Sequence, residues 1–235
     1  MAKNKVLIIA PHMDDEVLGC GGCIAKHKQN KDTISVVFIA HRIYNHLFNK
    51  KMNEVEKKHA LRAKSVLKYD NVAFLDLEDE RLDGCVQEII IPLEKHIQNI
   101  KPNIVYLSFR GDNNQDHRAV FEASRVVLRP LATPFIKEIN MYEVPSSTDQ
   151  SPPFSENAFL PNYFINITKY IDKKIAAYKC YRTEKRGYPH PRSEEALKIF
   201  AKKRGIESGF KYAETWPENC SCSQRFGLYC SSKHN

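Results

Sequence analysis

A short apolar run, Val6 to Ala10, is followed at once by Pro11-His12-Met13-Asp14-Asp15-Glu16 and then by Val17-Leu18-Gly19-Cys20-Gly21-Gly22. An imidazole and three carboxylates at the end of a buried strand are poor packing residues, because charged groups are rarely buried without a partner. They are suited to binding an ion or moving a proton. His12 and Asp15 stand three residues apart in a turn that leads into a helix, so both can reach one ion while Asp14 projects beside it. A comparable cluster, Phe109 to Arg118 (FRGDNNQDHR), follows a later apolar run and puts His117 on the first turn of the next helix. His12, Asp15 and His117 together make a three-ligand set, the usual protein share of a catalytic zinc site, with the fourth position left to water. Two neutral imidazoles and one carboxylate leave a net positive centre. Such a centre can bring the pKa of bound water to about 7 and polarise a carbonyl oxygen.

Each piece alone has a plainer explanation. His12 by itself reads as a hydrogen-bonded structural histidine and Asp15 as a helix cap. A glycine-rich turn after the first strand also suggests a dinucleotide fold. The run Gly19-Cys20-Gly21-Gly22 lacks the G-x-G-x-x-G spacing, however, and carboxylates stand where a pyrophosphate would have to approach. The combination favours a metal site.

These residues need elements to carry them. Lys5 to Ala10 predicts a strand buried on both faces, as in a parallel sheet. A helix follows from Val17 to about Lys28, then a strand over Thr33 to Ala40, a helix from about Asn53 to Leu67 and a strand over Val72 to Asp76. Gln87 to Ile100 predicts a helix closed by Lys101-Pro102, since proline does not continue a helix. Ile104 to Phe109 is the fourth strand, followed by a helix from about His117 to Leu128 and a fifth strand over Glu138 to Val144. Pro145 to Asn162 is a long loop rich in Ser, Pro and Asn, and Tyr163 to Ile167 a further strand. Thr168 is expected to cap a helix reaching about Glu184, and a last helix to run from near Ser193 to a stop before Gly205. Alternation of this kind indicates an α/β fold with a mostly parallel sheet.

The segment PHMDDEVLGCGG, residues 11–22, resembles the signature of the PIG-L/LmbE family of zinc-dependent N-deacetylases, which usually reads PHPDDE before a glycine-rich turn. Met13 stands where the family usually has proline. GDNNQDHRAV (111–120) resembles the second metal loop and Tyr-Pro-His-Pro-Arg-Ser (188–193) the third motif, so the likeness spans about residues 5 to 214. The resemblance implies a Rossmann-like three-layer sandwich with its site at the carboxyl ends of the first and fourth strands. It implies Zn2+ on His12, Asp15 and His117, Asp14 as general base, and an N-acetylated amino sugar as substrate, cleaved to acetate and a free amine. His190 is implied as an active-site donor to the oxyanion, set against a plain surface-turn histidine. Standing in a loop, it could act across a subunit interface, so a homo-oligomer is compatible with it. Asn114, Asp112 and Tyr212 are the expected substrate contacts. Some relatives carry His where Asn114 stands, and Asn cannot relay a proton near neutral pH. Others have Arg-x-x-Glu where this chain has Glu56-Lys57-Lys58-His59. Two rivals remain: a metal hydrolase of another amide or a phosphoester, and a non-catalytic sugar-binding protein.

At 235 residues with 42% hydrophobic and 27% charged residues, the chain suits one soluble domain over 1–218 with a polar, cysteine-containing tail over 219–235. The apolar run near the start is too short for a signal-peptide core or a membrane span, so a cytoplasmic location is expected. Seven cysteines, an odd number, argue against a disulfide framework. Cys20 and Cys23 read as small buried thiols of the first helix. Cys220, Cys222 and Cys230 lack a clear fourth metal ligand. The net charge of +8 comes from scattered lysines rather than one basic stripe interleaved with aromatics, so no nucleic-acid partner is expected. The charge leaves open a solvated basic surface or attraction of an anionic moiety on the substrate or of a membrane.

Overall fold

Strand β1 (Lys5–Ala10) has five successive apolar residues, all buried. Its alternate side chains enter two different cores, Val6, Ile8 and Ala10 on one face and Leu7 and Ile9 on the other, as the two-residue period of a strand requires. Such a strand must lie inside a sheet covered on both sides. The computed structural model shows this arrangement; it describes residues 3–44, 46–152, 154–217 and 220–221, with backbone alone at 44, 220 and 221.

After β1 come α1 (Asp15–Gln29), β2 (Thr33–His41), a small hairpin of β3 (Ile43–Tyr44) and β4 (Leu47–Phe48), α2 (Lys50–Leu67), β5 (Asn71–Glu78), α3 (Val86–Ile100) and β6 (Ile104–Ser108). The second half adds α4 (Gln115–Val127), β7 (Glu138–Tyr142), β8 (Pro161–Asn166), α5 (Ile171–Tyr178), α6 (Glu194–Ser208), β9 (Ala213–Pro217) and β10 (Cys220–Ser221). The main sheet has the order β10-β7-β6-β1-β2-β5. Its five longer strands are parallel and β10 is an antiparallel edge on β7. In β1, Ile8 pairs with Val36 of β2 and with Tyr106 of β6. Helices α1, α2 and α5 pack on one face, α3 and α4 on the other. The chain is therefore an α/β three-layer sandwich.

Helix α1 lies close on its layer because three of its positions, Gly19, Gly21 and Gly22, have no side chain. A Cβ on Gly19 would stand 2.3 Å from the Tyr142 ring, and one on Gly22 would stand 2.7 Å from Ile167 Cγ2.

The structure corrects several sequence expectations. Helix α2 starts earlier, because the Asn49 side chain accepts the Met52 N–H at 3.1 Å. Thr168 does not cap α5: its hydroxyl accepts the Tyr212 N–H at 3.2 Å, and the helix begins at Ile171 and ends at Tyr178, short of Glu184. Helix α6 runs through Gly205 to Ser208. Gly205 is there for close approach, since a Cβ would meet the Phe210 carbonyl oxygen at 2.5 Å; Gly209, at φ +75°, ends the helix. Strand β9 has no counterpart in the sequence reading; it pairs antiparallel with β8 and all five of its residues are buried. Cys20 and Cys23 are buried free thiols of α1. Cys222, Cys230 and the side chain of Cys220 lie outside the described residues.

Candidate metal centre and active site

Strand β1 is flanked by β2 on one side and β6 on the other, so the chain's direction across the sheet reverses there. Crevices at the carboxyl ends of strands on either side of such a reversal are where open α/β sheets bind ligands. Both histidine-bearing segments leave the sheet at this place. The turn after β1 is pinned by the Ala40 N–H donating to the Pro11 carbonyl at 2.9 Å and by the His12 N–H donating to Asp15 Oδ2 at 2.9 Å. Asp14 sits at φ 136°, a conformation that costs a non-glycine residue roughly 1–3 kcal/mol. Its carbonyl accepts the first hydrogen bonds of α1, from Val17 and Leu18. Its carboxylate does not cap the helix.

His12, Asp15 and His117, from segments more than a hundred residues apart, are brought together and are buried. His12 Nδ1 stands 3.3 Å from His117 Nε2 and 3.4 Å from Asp15 Oδ2, and His117 Nε2 stands 3.2 Å from the same oxygen. Three tetrahedral ligands, each about 2.0–2.1 Å from one zinc ion, are separated by about 3.3–3.4 Å, so size and chemistry of the donor set fit a divalent cation. The outer partners fit as well. His12 Nε2 faces Asp79 Oδ1 at 3.0 Å and Asp116 Oδ2 at 3.1 Å, which leaves Nδ1 as its lone-pair side. Asp116 is in turn held by the N–H groups of Glu80 and Leu82, at 2.7 and 3.2 Å. Behind His117, Asp112 Oδ1 lies 3.3 Å from Nδ1, off the line of a good hydrogen bond. Asp112 itself accepts the hydroxyls of Ser147 and Thr148.

The electrostatics calls for positive charge. Burial would lower the His12 and His117 pKa values, but Asp116, Asp15 and Asp79 raise His12 well above its ordinary value, and Asp15 and Asp112 raise His117 to about 9. Burial opposes ionisation of Asp15, yet His117 and His12 hold its carboxyl well below the usual range. Asp14 behaves differently. Burial pushes it up to about 7, against the opposing pull of Arg192, with Asp15 and Glu184 adding to the rise. Its Oδ2 is 3.1 Å from Arg192 Nη1, while Oδ1 has no hydrogen-bond partner among the described residues. Glu16, pushed by burial to about 8, accepts the Tyr181 hydroxyl at 2.6 Å and belongs to the packing of α1.

The remaining expected site residues are placed differently. Asp112 is buried behind His117, with its carboxylate oxygens taken by the Ser147 and Thr148 hydroxyls. The Asn114 side-chain oxygen caps α4 through the Asp116 N–H at 2.8 Å. Asn114 also lines an open cavity of about 450 Å3 together with His46, Asp79, Glu80, Asn113, Gln115 and Asp116. Tyr212 packs on the core and bonds Ile167 and Thr168 through its backbone. His190 is exposed, and its Nδ1 accepts the Arg192 N–H at 3.0 Å. Sequence reasoning missed Asp79 and Asp116, which face His12, and Arg192. Arg192 lay inside the quoted third motif, but its contact with Asp14 spans 178 positions and leaves no local signal.

The fold and its His/Asp/His cluster at the switch point define an α/β sandwich with a candidate metal site, and comparison with known proteins gives the family. The family described as "PIG-L: GlcNAc-PI de-N-acetylase" matches residues 7–128. The chain belongs to the PIG-L family and is a deacetylase of that type. It is 28% identical over 189 residues to the "Uncharacterized deacetylase YaiS" of Escherichia coli (strain K12), covering 77% of this chain and 92% of that one. Among solved structures, N,N'-diacetylchitobiose deacetylase from Pyrococcus horikoshii is similar with a TM-score of 0.73 at 19% identity, over 93% of this chain and 84% of that one. GalB, the 4-carboxy-2-hydroxymuconate hydratase from Pseudomonas putida KT2440, is similar with a TM-score of 0.69 at 20% identity, over 98% and 99%. At such identities the two structures speak for the fold.

Proposed function

We propose that the chain hydrolyses the acetamide of an N-acetylated amino sugar, with Zn2+ held by His12, Asp15 and His117 and with Asp14 as general base. The observation that carries this reading is the juxtaposition of three ligating atoms within 3.4 Å of one another and a buried carboxylate next to them in sequence. A zinc ion on such a set acidifies water and draws electron density from a carbonyl oxygen. The chain's own groups supply the proton transfers. Asp14 Oδ1, lacking a protein partner among the described residues, accepts the proton of the water that attacks the acetamide carbon. Once protonated, the same carboxyl can return the proton to the departing amine. Acetate and the free amino sugar result. His190 is the proposed donor to the oxyanion, a role that requires its exposed loop, or a partner subunit's, to cover the cluster.

The hydratase with the same fold shows that architecture alone does not choose between reactions; the family match and the relative named a deacetylase favour amide hydrolysis. The test is a screen of the zinc-loaded protein for acetate release across N-acetylated sugars, with nucleotide-linked ones included. Phosphoesters and unsaturated carboxylic acids serve as the competing substrates. Acetate release abolished by chelation and restored by zinc is the expected result. Phosphate release or hydration without acetate would sink the reading.

A further inference from the structure

Arg192 stands just before Ser193, whose hydroxyl oxygen caps α6 by accepting the Ala196 N–H at 3.0 Å. The helix is fixed in turn by a two-pronged contact of Arg204 with Glu143, at 2.8 and 2.6 Å. Arg192 therefore projects from an anchored element. Its side chain is 15% exposed and its neighbours are specific. Nη1 lies 3.1 Å from Asp14 Oδ2 and 3.2 Å from Glu184 Oε2, and Nε donates to Ser146 Oγ at 2.6 Å. Glu184, 3% exposed, is also held by Arg42 Nη2 at 2.9 Å.

The planar fork of a guanidinium fixes direction as well as charge. With Oδ2 of Asp14 taken by Arg192, the carboxylate is restrained at that oxygen and Oδ1 is the oxygen left for chemistry. Ser146 has two hydroxyl neighbours, Ser147 and Thr148, which bind Asp112 behind His117. One three-residue turn after β7 thus holds both the arginine on Asp14 and the carboxylate behind a ligand.

We infer that Arg192, aimed by Ser146 and Glu184, is a positioning residue that holds Asp14 by Oδ2 and so presents Oδ1 as the proton-accepting oxygen. The inference rests on the deacetylase reading above. The experiment compares Arg192→Gln, Arg192→Lys and Ser146→Ala with the wild type for zinc per chain, kcat and KM. Removing a group that orients a reacting residue costs roughly 10–100-fold in activity. Arg192→Gln should retain about one zinc and lose roughly that factor in kcat with KM little changed. Arg192→Lys should recover part of the loss, and Ser146→Ala should fall in the same direction by less. Wild-type kcat in Arg192→Gln overturns the inference, and so does a raised KM at unchanged kcat, which would make Arg192 a substrate-binding group.

A second readout needs no substrate. In metal-free protein, a double-mutant cycle of Arg192→Gln and Asp14→Asn, followed by thermal midpoint, should be non-additive because the two side chains touch. Additive shifts overturn the contact itself. A non-additive cycle with a wild type that releases no acetate overturns the deacetylase reading instead, and with it the catalytic meaning of the contact.

Discussion

Asp14 and Asp15 are chemically identical neighbours, yet their environments divide them. Asp15 lies between two imidazoles and is ionised; Asp14 has burial pushing it up and one arginine pulling it down. Asp14→Asn should therefore keep its zinc and lose roughly 10²–10⁴ in hydrolysis, the usual loss for a general base. Asp15→Asn should shed the metal. Zinc content and acetate release measured side by side decide this; the opposite pattern would exchange the two roles. A pH dependence follows at the same scale. His117, at about 9, and His12, raised well above its ordinary value, both carry protons at neutral pH in metal-free protein. Zinc must displace those protons, so affinity should weaken as pH falls below about 9 and strengthen as it rises toward that value. Competition titration with a chromophoric chelator between pH 6 and 9 checks it, roughly tenfold per displaced proton per pH unit. A flat profile would mean that the imidazoles are already neutral.

At the scale of elements, the turn into α1 carries His12, Asp14 and Asp15, so the helix must be held in place along its length. Glu214 of β9 accepts the N–H groups of Gly22 and Cys23 at 2.9 and 2.7 Å, and Lys174 of α5 donates to the Leu18 carbonyl at 2.7 Å. A side chain placed in the helix hydrogen-bond ladder is one recognised cause of local bending. Gly19→Ala would drive a methyl into the Tyr142 ring. It should destabilise the protein by roughly 1–3 kcal/mol, the usual range for overpacking, read from the urea midpoint; an unchanged midpoint would show that the helix shifts freely. The loop bearing His190 is the other element with a testable role. His190→Ala should leave zinc intact and lower kcat by roughly 10²–10³, as loss of an oxyanion donor does. Unchanged turnover would return His190 to the surface turn in which it is seen.

At the scale of the whole molecule, an ion held by the proposed ligands would join the turn after β1 to the start of α4, on either side of the switch point. A ligand present at a thousand times its Kd stabilises by about 4 kcal/mol, which for a chain of this length moves Tm by roughly 8–16 °C. Chelation should lower Tm by that order and zinc should restore it, measured by scanning calorimetry. No change would mean that the ion does not bridge the two segments. Among the described residues no helix is long and apolar enough to cross a membrane.

Much of this was legible in the order of residues. The two-sided apolar run of β1, the alternation of strands and helices, and the PHMDDE and DNNQDH segments depend on near neighbours in the chain, where periodicity and spacing speak directly. So does the coming together of His12, Asp15 and His117, because parallel strands joined by helices must deliver their carboxyl ends to one edge. What only the tertiary structure decided lies in contacts between distant segments. Arg192 reaches Asp14, Asp112 retires behind His117 under the hydroxyls of Ser147 and Thr148, and Glu214 grips α1 from a strand that the sequence did not announce. Gly205 reads as a helix stop until the Phe210 carbonyl is seen against it. A carboxylate's role as ligand, base or support depends on which charges and hydrogen-bond donors surround it after folding, and residue type alone does not carry that information.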